Sequence, residues 1–207
     1  MKQQIDILNW NRKEHFEFFS NFEEPFFGIT TPIDCTIAYE KAKEMKIPFF
    51  IYYLHKTIAA VNLVENFRYR IEGKNVVLYD VIDASATIMR ADKTFGFSFM
   101  KFHADIEEFN KIAQAEIERI QNTSGLFTRE FPENLIHFSA IPWINFTGLT
   151  HSRNFTFPDS CPKISFGKLM SENGKKSMSL AVLAHHGLVD GYHMGLFVET
   201  LQNLMNS

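Results

Sequence analysis

Apolar side chains recur at helical spacing in several stretches of the chain and alternate at strand spacing in most of the others. From Pro48, a favourable first-turn residue, the segment Phe49 to Glu65 keeps Phe50, Tyr53, Leu54, Thr57, Ile58, Val61 and Val64 on one face, which predicts a long core-facing helix. Ile106 to Ile120 repeats the pattern with Ile106, Phe109, Ile112, Ala113, Ile117 and Ile120, and its opposite face carries Glu107, Glu108, Lys111, Glu116 and Glu118, as a solvated surface would. Asn11 to Asn21, with Phe16 and Phe19 on one side, and Tyr39 to Lys46 suit shorter helices. Asp190 is placed to cap a final helix, Gly191 to Met205, in which Met194, Phe197, Val198 and Leu201 share a stripe.

Between these helices lie strand signals. Gly28 to Ile37 is rich in Thr and Ile, and Tyr69–Ile71 and Val76–Tyr79 flank Glu72-Gly73-Lys74-Asn75 as a hairpin. Ala86–Arg90, Phe95–Phe102, Leu135–Ala140, Trp143–Phe146, Lys163–Met170 and Ser177–His185 supply further strands. This interleaving predicts an α+β fold, a two-layer sandwich in which a mostly mixed β-sheet is covered by helices on one side. No repeat or composition shift marks a linker, so residues 1–207 are expected to form one domain.

At 207 residues the chain can bury a sizeable core. Its 45% hydrophobic and 22% charged residues are ordinary, but twenty-two Phe against six Tyr and two Trp are not. Most should be core, and some could wall an apolar small-molecule pocket. A net charge of −3 with scattered Lys and Arg gives no footprint for a nucleic-acid backbone. Cys35 and Cys161 lack metal-like spacing and are expected as free, buried thiols in a reducing compartment. No signal-peptide pattern follows Met1, and the apolar run Ile47–Leu54 is too short to span a bilayer, so the expected location is the cytoplasm.

The chemistry concentrates in Val182-Leu183-Ala184-His185-His186-Gly187-Leu188-Val189-Asp190-Gly191. Here an apolar strand delivers two histidines into a turn bounded by glycine. Adjacent strand residues project from opposite faces, so only one imidazole enters a given cleft. An imidazole there can act as a general base, since its ordinary pKa of about 6.5 lets it take and return a proton near neutrality. The competing readings are histidines satisfied by backbone with Asp190 as a plain helix cap, and a metal set of His185, His186, Asp190 and His193. Divergence of the two adjacent rings disfavours the metal set.

Three segments together resemble the type A chloramphenicol acetyltransferases. His185-His186-Gly187-Leu188-Val189-Asp190-Gly191-Tyr192-His193 is similar to that family's His-His-x-x-x-Asp-Gly-Phe/Tyr-His signature. Ser139-Ala140-Ile141-Pro142-Trp143-Ile144-Asn145-Phe146 is similar to its Ser-x-x-Pro-Trp-x-x-Phe segment, and Asn9-Trp10-Asn11-Arg12-Lys13-Glu14-His15-Phe16-Glu17 to its amino-terminal segment. The resemblance runs end to end. It implies acetyl-CoA as co-substrate without a metal, a small-molecule alcohol as acceptor, and His186 as the base that deprotonates the acceptor hydroxyl for direct attack on the thioester. It further implies Ser139 as donor to the oxyanion, and Asp190 paired with Arg12 to hold the turn. Phe18, Phe19, Phe95, Phe127, Leu149 and Ser165 match acceptor-pocket positions, and Trp143 lies near the CoA channel. A homotrimer is implied, with sites at subunit interfaces and the base of one subunit facing a pocket supplied largely by its neighbour.

The chain departs from the family pattern after Phe146. His151 and Arg153 bring a titratable and a charged group into a segment that is ordinarily apolar, which opposes a neutral aromatic acceptor. Phe19 replaces a common tyrosine, Ser165 replaces a threonine, and Phe97 stands where a smaller residue is usual. Acetylation of chloramphenicol therefore competes with acetylation of a different small alcohol. A dihydrolipoyl acyltransferase core shares the ending, but its lipoyl and linker segments are missing from these residues. A non-catalytic or metal-binding protein on the same scaffold is the remaining alternative.

Overall fold

The computed structural model describes residues 1–154 and 159–207. Along the chain run β1 (Lys2–Gln4), α1 (Lys13–Phe19), β2 (Phe26–Asp34), α2 (Thr36–Glu44), α3 (Phe49–Leu63), β3 (Tyr69–Glu72), β4 (Asn75–Tyr79), β5 (Asp83–Met89), β6 (Phe95–Phe97), α4 (Ile106–Gln121), β7 (Leu135–Ala140), β8 (Lys163–Phe166), β9 (Met170–Glu172), β10 (Lys175–His185) and α5 (Gly191–Met205). The main sheet has the order β2-β10-β8-β7-β5-β6, with β9 added to β10. Only the β5–β7 and β7–β8 pairs are parallel, so the sheet is mixed. A small antiparallel sheet, β1-β4-β3, stands beside it.

α3 packs against α2, α4 and α5, and those three in turn reach β10, β5 and β2. Leu180, Val182 and Ala184 of β10, Ile164 and Phe166 of β8 and Ile136 and Phe138 of β7 are buried in the core that this helical layer shares. α3 is buried well beyond its predicted stripe, because Ile51, Tyr52, His55 and Ala60 are also shielded. It is therefore the central helix, and truncating fully buried Ile58 to Ala would cost about 2–5 kcal/mol. Among the described residues no helix is long and apolar enough to cross a membrane.

Several boundaries differ from the sequence pattern, each for a local reason. The strand expected to reach Ile37 stops at Asp34, whose carboxylate accepts the Thr36 N–H and turns the chain into α2. Phe95–Phe102 is a strand only as far as Phe97. Beyond it the Ser98 hydroxyl accepts the Ala86 N–H and shares the Ala86 carbonyl with the Ser98 N–H, and backbone pairing persists only as the isolated Ala84–Met100 bridge. Trp143–Phe146 is no strand, because after Pro142 the chain turns and Ile144 N–H donates back to the Ile141 carbonyl. Lys163–Met170 splits into β8 and β9 at Gly167, where a β-carbon would meet the Ile144 carbonyl oxygen at 2.9 Å. The β9–β10 hairpin turns on Asn173 and Gly174, both at positive φ, a signal the alternation reading passed over. Glu116, expected on a solvated face, is buried: it accepts the Phe99 N–H and pairs with Arg119 at 2.7 Å. Cys35 is buried as expected, whereas Cys161 is partly exposed.

Candidate active site

β10 is buried from Met178 to its last residue, His185, apart from half-buried Leu183, so its end is a fixed point from which the next residues must turn. Gly187 permits the turn, since a β-carbon there would press on the His185 ring at 3.1 Å and on the Phe16 backbone at 3.3 Å. The two histidines diverge as alternation requires. His185 is 4% exposed, accepts the Gly187 N–H on Nδ1 at 3.1 Å and meets Phe26 edge-on. Burial, reinforced by the positive charge of Arg153, pushes its pKa down to about 4, so it is a neutral structural imidazole at pH 7.

His186 is the half-buried ring. It lies flat against Phe19 of α1, with centroids 3.9 Å apart and planes 3° from parallel, and Phe27 of β2 stacks within 4.2 Å. The His186 N–H donates to the Pro25 carbonyl at 2.8 Å, which fixes the backbone under the ring. Nδ1 is buried and has no hydrogen-bond partner among the described residues, leaving Nε2 as the nitrogen on the open edge. Phe19 also belongs to a trio with Phe18 and Phe22, so α1 presents an aromatic clamp.

Asp190 N-caps α5, accepting the Tyr192 N–H at 3.0 Å and the His193 N–H at 3.4 Å. Its other oxygen is 2.7 Å from Nη1 of Arg12, and Nη2 of the same guanidinium reaches the His186 carbonyl at 3.4 Å. Arg12 is 7% exposed and stands at the entrance to α1, so one side chain ties α1, the histidine turn and the α5 terminus together. Burial raises the Asp190 pKa, but the Arg12 hydrogen bond and the charges of His193 and Arg12 outweigh it and hold the carboxyl below its usual range.

Ser139 lies elsewhere. It sits near the end of β7, with Oγ 3.5 Å from Thr87 Oγ1, and its register partners run through Ser165 of β8 to Ala181 of β10. His185 is four residues further along β10 and two strands across, a separation of roughly 17 Å by strand geometry. One chain therefore does not bring the Ser139 hydroxyl to the His186 ring.

The pocket candidates divide in the same way. Phe19 stacks on His186 and Phe18 packs edge-on against Phe19, while half-buried Leu149 lines a groove with Phe27, Gly28 and His151. Phe95 and Phe127 stand at the other end of the sheet, both contacting Phe97, with Phe127 69% exposed. Ser165 is fully buried, its Oγ 3.1 Å from His151 Nε2. Trp143 is 64% exposed on the turn after β7. Arg153 does not present an open charge to the groove. It pairs with Glu24, lies 3.7 Å from the Phe26 ring centroid and approaches Asp159. Phe27 was missed from sequence as the second face of the clamp, although its place opposite Ala184 in the β2–β10 register explains it. Among the described residues no group of three or more His, Cys, Asp and Glu side chains is arranged to hold a metal ion.

Similarity to known proteins gives the class of this mixed-sheet chain, an acyltransferase. The family described as chloramphenicol acetyltransferase matches residues 2–202. Chloramphenicol acetyltransferase 3 of Escherichia coli is 30% identical over 207 residues, covering 99% of this chain and 97% of its own. The chloramphenicol acetyltransferase of Staphylococcus aureus is 30% identical, covering 97% and 94%. A solved chloramphenicol acetyltransferase superposes with a TM-score of 0.92 at 33% identity, over 99% of this chain and all of that one. A probable dihydrolipoamide acetyltransferase from Listeria monocytogenes, at 12% identity and a TM-score of 0.65 over 93% and 88% of the two chains, shares the fold alone. The chain belongs to the chloramphenicol acetyltransferase family.

Proposed function

We propose that this protein transfers the acetyl group of acetyl-CoA to a hydroxyl of chloramphenicol, with His186 as general base, in a homotrimer whose sites lie between subunits. Nε2 of His186 takes the proton of the acceptor hydroxyl as its oxygen attacks the thioester carbonyl. The resulting oxyanion is stabilised by the Ser139 hydroxyl of a neighbouring copy, and collapse expels the CoA thiolate, which recovers the proton from the imidazolium. Arg12 and Asp190 position the turn without exchanging protons.

The observation that carries this reading is the His186 ring, clamped between Phe19 and Phe27 at the end of a largely buried strand with Nε2 on the open edge. Such clamping fixes the base without spending its proton-accepting nitrogen on a structural bond. The separation of Ser139 from His186 within one chain supports the interfacial arrangement, as do the exposed aromatic rings Phe18, Phe95, Phe127 and Trp143. A test uses acetyl transfer to chloramphenicol, read as CoA thiol release, on co-expressed His186→Ala and Ser139→Ala chains. Each variant alone should be nearly inactive, and mixed oligomers should regain about a quarter of wild-type activity, because some interfaces then pair an intact base with an intact hydroxyl. Failure of the mixture to exceed the separate variants would refute the shared site.

Acetylation of a different small alcohol by the same machinery is favoured by one feature, the imidazole of His151 in the groove beside Leu149. An acceptor panel that turned over another alcohol well and chloramphenicol poorly would establish it.

A further inference from the structure

The two nitrogens of His151 meet different surroundings. Nε2 lies 3.1 Å from Oγ of Ser165, a residue with no solvent exposure. Nδ1 has no hydrogen-bond partner among the described residues, yet it is not sealed as Nδ1 of His186 is, so it opens on the groove that half-buried His151 lines. That groove, about 440 Å³, is of a size to hold a small molecule. Its apolar lining comes from Phe26, Phe27, Leu149 and Leu183, and its two charged groups, Glu24 and Arg153, pair with each other.

The buried serine decides which nitrogen carries the proton. A buried hydroxyl donates its hydrogen to an acceptor in reach, and the Ser165 hydroxyl has a single partner among the described residues, Nε2 of His151. Were Nε2 protonated, the ring would donate to Ser165 and the buried O–H would be left without an acceptor. Ser165 therefore donates to Nε2, and the proton of the neutral ring sits on Nδ1, facing the groove. Burial, helped by the positive charges of Lys163 and His137, pushes the His151 pKa below its ordinary value and keeps the ring neutral at pH 7.

Ser165 is also the β8 partner of Ser139, across a strand spacing of about 4.8 Å, and both side chains leave the sheet on the face opposite to the core residues Phe138 and Ile164. The donor fixed on His151 therefore stands within about 10 Å of the hydroxyl assigned to the oxyanion, on the same face of the sheet. We infer that His151 is a specificity-determining residue whose Nδ1–H selects alcohols carrying an uncharged carbonyl oxygen over alcohols of similar size without one. Resting on the shared site proposed above, this selection places the carbonyl against Nδ1 while the hydroxyl reacts beside Ser139. Chloramphenicol belongs to the class through its amide carbonyl. A hydrogen bond made equally in the ground state and the transition state acts on KM more than on kcat.

The test has two parts. Nitrogen-15 NMR of the intact protein with labelled histidine, assigned by the signals lost in His151→Gln, should show Nδ1 of His151 protonated and Nε2 bare at neutral pH; the reverse tautomer would overturn the inference whatever the activity. CoA thiol release is then followed with chloramphenicol and with a matched pair, the hydroxyethyl amide of benzoic acid and phenylbutanol, which has methylenes where the amide stands. His151→Leu should cut the ratio of kcat/KM for the amide over the alkanol about tenfold, by raising KM for the amide, with the melting temperature confirming the fold. Ser165→Ala keeps the imidazole but frees its tautomer, and should lower the same ratio severalfold. A ratio unchanged in both variants, with chloramphenicol still turned over, would overturn the selection and leave the shared site standing. No turnover of any acceptor by wild type would sink the shared site and the selection with it.

Discussion

The His186 turn and the Ser139 end of the sheet differ in how finished they are. Around His186 every support is internal to one chain: the stacked Phe19 and Phe27, the Pro25 carbonyl under the backbone, and the Arg12–Asp190 pair at 2.7 Å. Around Ser139 the hydroxyl meets that of Thr87 at 3.5 Å, and the rings toward that end, Phe95 and Phe127, are 46% and 69% exposed. A base must be held at a defined angle, which calls for many short-range constraints. An acceptor wall needs only shape and low polarity, and a second copy of the chain can complete it.

The comparison is tested most severely by removing the proposed base. His186→Ala should lower the acetyl-transfer rate by about 10³-fold or more while leaving the melting temperature near wild type. A variant that melted early would mean the ring serves packing instead. On the proposed role of its hydroxyl as oxyanion donor, Ser139→Ala should cost about 10²–10³ in kcat with little change in acceptor KM, because a donor to charge that develops only in the transition state leaves ground-state binding alone. Equal losses in kcat and in ground-state affinity would place it in the pocket wall.

Arg12→Ala probes the brace. Removing one partner of a largely buried pair should destabilise the protein by about 2–3 kcal/mol, less than for a fully buried pair because Asp190 retains 30% side-chain exposure. Denaturant titration reads this directly, and kcat should fall as the His186 carbonyl loses its donor. A variant with wild-type stability and rate would show that the α5 cap suffices alone.

The most gradual effect, spread over more than two pH units, is a pH slope from the neighbouring histidine. The folded His185 pKa of about 4 lies below the unfolded value near 6.5, so the unfolded chain binds more protons between these limits. Stability should therefore be fully present above pH 6.5 and decline by about 3 kcal/mol as pH falls toward 4, and His185→Gln should flatten that limb. The depressed Asp190 carboxyl adds a second loss only at lower pH, as the folded carboxylate is protonated. An unchanged slope in the Gln variant would assign the acid sensitivity elsewhere.

Much of the architecture was legible because the signals were local. The bounds of α5, the β3–β4 hairpin and the long helices followed from periodicity, with Asp190 in the capping role its side chain favours, whereas the Asp105 cap of α4 went unread. Alternation along β10 separated His185 from His186 before any coordinates. Where pairing depends on a side chain replacing a backbone group, as at Ser98, or on a distant carbonyl excluding a β-carbon, as at Gly167, periodicity carries no trace of it.

What the amino-acid order determined by itself is therefore the covalent logic: an apolar strand that must end in two diverging imidazoles, a cap to start the next helix, and motifs in family order. Only the tertiary structure decided which partners those groups have. Arg12 meets Asp190 across 178 positions, Arg153 is bound to Glu24 and stacked on Phe26, Cys161 shares a carbonyl with Arg70, and Ser139 lies far from His186. The reason is physical. Backbone geometry acts over a few residues and is written in sequence spacing, whereas ion pairs and desolvation act over a few ångströms between segments that only the folded sheet brings together.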